Sequence, residues 1–182
     1  MRGKSHMCLG KYLIHHYMED TGKFRKKLFL FGCIQPDRNP FTYLKGSLRC
    51  RMLCGHNYCN ASRLMSRFSN RLQKRKRLNL LDYYTLGKLI HYTADSFTFS
   101  HNDTFRGNLF HHWEYEQLLQ NHFLVYLNQN RKIDTALSIS IMDTIKKYHQ
   151  EYSRQNPGIP SDCVFSLQAC CCIFTNLFCS NI

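Results

Sequence analysis

Ile133, Leu137, Ile141 and Ile145 recur at every fourth position. That spacing stacks apolar side chains on one face of an α-helix and predicts a helix over 133–154. Met7, Leu9, Tyr12, Leu13 and Met18 fall near the same period, so a first helix is expected over 4–19, with Ser5 as a candidate cap, ending near Thr21-Gly22. The apolar run 24–33 leads into Gln35-Pro36-Asp37-Arg38-Asn39-Pro40, where two prolines predict an extended turn holding Asp37 outside any helix. Residues 41–60 read as irregular, with Gly46 and Gly55 as breakers. Leu64, Met65, Phe68 and Leu72 form the inward stripe of a basic amphipathic helix over 61–77. Asn79 or Asp82 opens the next, running through Leu86, Leu89 and Ile90 to about Phe97, followed by a polar loop over 100–108 and a helix over 109–130. Asn156-Pro-Gly-Ile-Pro160 is a break, after which Ser161-Asp162 starts an apolar, cysteine-rich C-terminal helix within 157–182. No stretch alternates as a strand does. The fold class is therefore all-α: a single compact multi-helix bundle, read as one domain over 1–182.

Composition adds charge to this picture. The 182 residues are 43% hydrophobic and 14% aromatic, enough for one folded core. Lys and Arg number 25 against 12 Asp and Glu, a net charge of +13, which suits phosphate-bearing partners, either an anionic membrane surface or nucleic acid. Much of it is local, in Arg63, Arg67, Arg71, Lys74, Arg75, Lys76 and Arg77. Met1 to His6 carries no apolar signal core, so a cytosolic chain is expected, with most of the ten cysteines as reduced thiols. No run of about eighteen uninterrupted apolar residues predicts a spanning helix. Cys170-Cys171-Cys172 can belong to a lipidated or membrane-surface helix or to a helix packed in the bundle; packing is the expected reading.

Candidate chemistry concentrates in His91-Tyr-Thr-Ala-Asp95-Ser-Phe-Thr-Phe-Ser-His101 and His112-Trp-Glu-Tyr-Glu116. Residues four apart on a helix are neighbours at roughly 5–6 Å between Cβ atoms, so His91 with Asp95, and His112 with Glu116, can each grip one cation. Imidazole with carboxylate suits zinc. His112 is preferred over His111 because only His112 has a carboxylate four residues on. His15, His16, His122 and His149 lack such a partner and are read as ordinary histidines. Cys50, Cys54 and Cys59 flank His56, but their spacing fits a thiolate zinc site poorly.

The full series His6, Asp37, His56, His91, Asp95, His101, His112 and Glu116 resembles that of the zinc-dependent phospholipase C family, whose fold zinc-dependent single-strand nucleases share. The resemblance covers about 4–125 and rests on Lys4-Ser-His6, Gln35-Pro-Asp37, Gly55-His56, the segment Leu86-Gly-Lys-Leu-Ile-His91 through His101, and His112-Trp-Glu-Tyr-Glu116. It implies one zinc held by Asp37, His56, His91 and Asp95, a second held by His101, His112 and Glu116, and a third bridged by Asp95 and bound by His6. It also implies catalytic parts for Asp95 as the bridge and Asp37 as the base that orients a water. One departure stands out. Secreted members complete the third site with an N-terminal tryptophan, whereas Trp113 is the one tryptophan here, leaving that site to water, to the Met1 terminus, to weak binding or to vacancy.

The expected function is zinc-dependent hydrolysis of a phosphodiester, foremost a phospholipid headgroup bond. The alternatives are a single-strand nuclease or small phosphodiesterase using the same site, and a non-catalytic, membrane-associated metal binder. A nuclease would need aromatic platforms beside the metals, for which Tyr58, Tyr92, Phe97, Phe99 and Phe105 are candidates.

Overall fold

The computed structural model describes residues 1–39, 56–102, 104–133 and 140–178. Through them run α1 (Gly3–Tyr17), α2 (Lys23–Arg38), α3 (Tyr58–Gln73), α4 (Leu80–Ser96), a 3-10 turn (Phe99–His101), α5 (Leu109–Gln129), α6 (Ile141–Arg154) and α7 (Ile159–Phe178), with no strand among the described residues. The all-α class expected from the periodicity is what the chain adopts.

α4 is the central element. It starts on a capping box in which Asn79 accepts from the Asp82 backbone N–H and Asp82 accepts from that of Asn79. From there nearly every side chain is buried, including the polar His91, Thr93, Asp95 and Ser96. α2, α3, α7 and α1 pack around it, and Phe29, Met65, Leu86, Leu89, Phe97, Leu119, Phe123, Ile145, Tyr152 and Phe174 share one continuous core.

The α2–α4 crossing is the most extensive contact, and two glycines set its distance. A Cβ on Gly87 would run into the Phe29 carbonyl oxygen and lie 2.8 Å from Cys33 N, while one on Gly32 would meet the Tyr84 carbonyl. These obstacles are backbone, so only separation of the helices relieves them. Gly87→Ala is therefore expected to lower stability by about 1–3 kcal/mol from overpacking, outweighing the roughly 1 kcal/mol that alanine gains in helix propensity. Chemical denaturation reads this directly; an unchanged or raised midpoint would show that the two backbones do not need to touch.

Several boundaries depart from the sequence reading. Asp37 is not in an extended turn: α2 continues through Pro36, and Asp37 lies in its last turn. Pro36 removes an N–H that would bond the Gly32 carbonyl, and packing against α4 carries the helix past it to Arg38. Ser5 does not cap α1, which starts at Gly3 and buries Ser5 inside its first turns. His101 stands on a 3-10 turn rather than in an open loop. The helix expected from 133 begins at Ile141, with Ser140 as its cap; Ile141 and Ile145 are buried, and Ile133 packs on the core from outside the helix. Leu137 and the segment 41–55, with Gly46, Cys50, Cys54 and Gly55, lie outside the described residues.

Arg71 and Arg75 both pair with buried Asp82, at 2.9 and 3.5 Å, which neutralises part of the local charge. By length and composition α7 passes as a membrane-crossing helix, yet 72% of its apolar window is buried in the bundle. Cys170, Cys171 and Cys172 are among its buried residues, so packing accounts for the cysteine run. Cys8, Cys33, Cys163 and these three are free thiols, as expected. Cys59 is disulfide-bonded, which withdraws its sulfur from any metal.

Candidate metal centre

The centre forms where helix ends converge. His6 comes from the first turns of α1, Asp37 from the last turn of α2, His56 from the residue ahead of the α3 cap, and His91 and Asp95 from the C-terminal half of α4. The 3-10 turn adds His101, and the first two turns of α5 add His112 and Glu116. All eight residues singled out in the sequence are brought together.

Asp95 joins them. Its Oδ1 lies 2.8 Å from the Met1 amine and 3.1 Å from His6 Nε2; its Oδ2 lies 2.8 Å from His56 Nδ1 and 3.2 Å from His91 Nε2. Asp37 Oδ1 approaches His91 Nε2 at 3.5 Å and His56 Nδ1 at 3.9 Å. On the other side His101 Nε2 is 2.9 Å and His112 Nε2 3.5 Å from Glu116 Oε1. Two sets of atoms are close enough to share an ion: one from His6, Asp37, His91 and Asp95, the other from His101, His112 and Glu116.

The hydrogen-bond pattern turns ligand-competent atoms towards one another. His91 Nδ1 is 2.8 Å from the Cys33 carbonyl, which can only accept, so Nδ1 carries the proton. His91 Nε2 faces the Asp37 and Asp95 oxygens and lies 3.2 Å from His56 Nδ1, so these ligand atoms converge on one space that a cation can fill. His6 is buried, stacked on the His91 ring, with its Nε2 3.1 Å from Asp95 Oδ1. Burial first, and then His91, lowers the His6 pKa, leaving it the neutral imidazole that ligation requires.

A positive group already stands between the two sets. The Met1 ammonium is 2.8 Å from Asp95, 2.7 Å from His101 Nε2 and 2.7 Å from Glu116 Oε1, one acceptor for each of its protons. Burial disfavours this charge, but Asp95, Glu116 and Asp37 outweigh it and raise the amine to about 11. Its presence in turn lowers His101: burial is the larger cause and the ammonium the next, bringing that ring to about 4. Burial would raise Glu116, yet the ammonium, His101 and His112 hold it far below the ordinary carboxylate range. The sequence left the Met1 terminus as one of several options for the third site; the fold brings its amine into the cleft.

Access is one-sided. Asp95 and His6 are sealed, whereas the side chains of Asp37 and His112 keep 18% and 33% of their exposure. His111, beside His112 in sequence, points to solvent. His15 and His16 pack against each other, and His149 stacks on Tyr58.

One supporting residue was not foreseen. Asp162, in the first turn of α7, accepts from Tyr152 Oη at 2.6 Å, Tyr115 Oη at 2.8 Å and the Phe99 backbone N–H at 2.9 Å. It thereby ties down the turn that carries His101 and the residue next to Glu116. Burial pushes its carboxyl up to about 6, while the Tyr152, Phe99 and Tyr115 bonds pull the other way. Its sequence signal was that of a helix start, which concealed the second role. Asp162→Ala strands three donors and is expected to cost about 3 kcal/mol, since each buried unpaired group costs about 1–3 kcal/mol. It should also lower metal retention at His101 and Glu116 more than at His91. A variant with wild-type stability and metal content would show that other contacts hold the turn.

The model of the zinc dependent phospholipase C family matches residues 5–158 of this chain. No curated protein and no solved structure matches it.

Proposed function

The chain belongs to the zinc-dependent phospholipase C family, and from that membership and the geometry of the cleft we propose that it hydrolyses phosphodiesters, foremost the headgroup bond of phospholipids, with zinc in the cleft. The observation that carries the proposal is the set of ligand-competent nitrogens facing the shared Asp95, with His91 oriented by the Cys33 carbonyl and His6 beside the same carboxylate.

Asp37, His56, His91 and Asp95 would hold one zinc and His101, His112 and Glu116 a second, with Asp95 reaching across to a third position shared with His6. Zinc, when bound, supplies Lewis acidity that neutralises phosphodiester oxygens and lowers the pKa of water towards about 7. The chain does the rest. Cys33 fixes the His91 ring, Asp162 fixes the turn under His101, and α4 keeps Asp95 dry. Asp37, at the open rim, would take the proton of the attacking water, so that no covalent intermediate on the protein would be required.

A single-strand nuclease is less well served. Of the aromatic platforms the sequence offered, Tyr92, Phe97 and Phe105 are buried, and Phe99 packs against Phe105 and Tyr115. Metal content by mass spectrometry, together with hydrolysis of phosphatidylcholine vesicles, single-stranded DNA and bis-nitrophenyl phosphate before and after chelation, tests the reading. Zinc-dependent cleavage of the lipid supports it. Retention of two or more zinc equivalents with no substrate cleaved identifies a metal binder without turnover, and preferential DNA cleavage identifies a nuclease.

A further inference from the structure

The start of α5 exposes Leu109, Phe110 and Trp113, at 90%, 66% and 55%, within five residues. On a helix of about 3.6 residues per turn these three cover a continuous arc adjoining that of His112 and Glu116, so the apolar stripe borders the open rim of the cleft. Scattered exposed apolar residues are ordinary; three large ones clustered beside a site are not. The stripe is also framed by cations. Arg2 places its guanidinium 5.4 Å from the centre of the Trp113 ring, and exposed Arg106 lies three residues before Leu109. Exposed Glu114 lies on the same turn, beyond Phe110.

We propose that this face is a membrane-docking surface, in which Leu109, Phe110 and Trp113 enter the headgroup boundary of a phospholipid bilayer while Arg2 and Arg106 meet its phosphates. The inference rests on the reading of the cleft as a phospholipid-hydrolysing site and names how the chain reaches that substrate. Three observations select a bilayer over other occupants. The basic frame and the net charge of +13 complement lipid phosphate. Tryptophan and phenylalanine with flanking arginine are the residues that settle at a lipid interface. And docking on this arc sets the rim formed by His112 against the layer where headgroup phosphates lie.

Trp113 is the sole tryptophan, so its emission reports on this face alone. Vesicles of phosphatidylcholine, with and without phosphatidylserine, are expected to shift that emission to the blue in both metal-free and zinc-loaded full-length chain, and to carry the protein upward in flotation. Leu109→Ser with Phe110→Ser should weaken flotation at least about tenfold and reduce vesicle hydrolysis in step, while cleavage of bis-nitrophenyl phosphate stays within about twofold. Arg106→Ala should reduce the preference for phosphatidylserine. An unshifted Trp113 spectrum, undiminished flotation of the double variant, or a Trp113 response to single-stranded DNA in place of vesicles overturns the proposal. So does a concentration-dependent dimer that the double variant abolishes, because a second copy then covers the stripe. A blue shift without cleavage of any phosphodiester keeps the docking surface and sinks the hydrolase reading; cleavage without a shift does the reverse.

Discussion

Asp95→Asn abolishes nearly all phosphodiester hydrolysis if the cleft works as its geometry indicates. Each carboxylate oxygen serves a different side: Oδ1 the His6 and Met1 side, Oδ2 the His56 and His91 side. Asparagine keeps the shape but turns one of these oxygens into an NH2 group, which has no lone pair to offer a metal. At least one side then loses its anionic ligand, and the rate is expected to fall on the order of 10³-fold, about 4 kcal/mol of transition-state stabilisation. Metal analysis of the same preparation should show fewer zinc equivalents. The metal-free chain should suffer too. Burial opposes the Asp95 charge, but the Met1 ammonium, His101, His6 and His91 outweigh it and hold the carboxyl well below its ordinary value of 3.8. Breaking a buried pair of this kind costs about 3–5 kcal/mol. A depressed carboxylate stabilises the fold above its unfolded-state pKa and ceases to do so as pH falls through the folded one, so metal-free wild type should lose stability in acid below about pH 4. The variant lacks this contribution and its dependence. Wild-type rate and zinc content in Asp95→Asn would remove Asp95 from the centre of the site.

The helices were legible where apolar periodicity ran long. α1, α3, α4, α5 and α7 appear within a few residues of their expected ends because each buries a stripe or a whole surface that its own sequence marks. α2 was harder. Pro36 and Pro40 are local signals for an extended chain, and what overrides them is the close α2–α4 crossing through Gly32 and Gly87, a contact between segments some fifty residues apart that no local window contains. The start of α6 was misread for a related reason: Ile133 keeps the period but packs on the core from irregular chain.

The ligand set was more legible than the fold that assembles it. His91 with Asp95, and His112 with Glu116, announce themselves by a four-residue spacing. His6, Asp37, His56 and His101 carry no such pairing and were linked to the others through the family resemblance. Supporting groups had no signal at all. The Cys33 carbonyl that orients His91 is backbone, and any residue would supply it. Asp162 reads as the acidic first turn of a helix, and only the packing of α5 and α6 shows the tyrosines aimed at it. The surface stripe on α5 was similarly hidden, since Leu109, Phe110 and Trp113 are the residue types expected inside a bundle, and exposure is a property of the assembled helices.

Asp37 poses the sharpest question about mechanism, because a ligand and a base occupy the same atoms. Its position permits both: Oδ1 reaches His91 and His56 on the sealed side, while the carboxylate keeps 18% exposure on the side a substrate enters. Asp37→Asn separates the roles. Loss of a ligand alone lowers zinc occupancy, and the lost rate returns when excess zinc refills the site. Loss of a positioned base costs about 10²–10⁴-fold in turnover and is not restored by zinc. The expectation is the second outcome, with kcat falling further than zinc content and the acid limb of the kcat/KM profile displaced. Since His56, His91 and Asp95 remain, three ligands suffice to keep much of the metal, which is why rate and occupancy can part company here and cannot in Asp95→Asn. Parallel loss of zinc and rate, both recovered by added metal, would reduce Asp37 to a ligand and leave the proton to another acceptor at the rim.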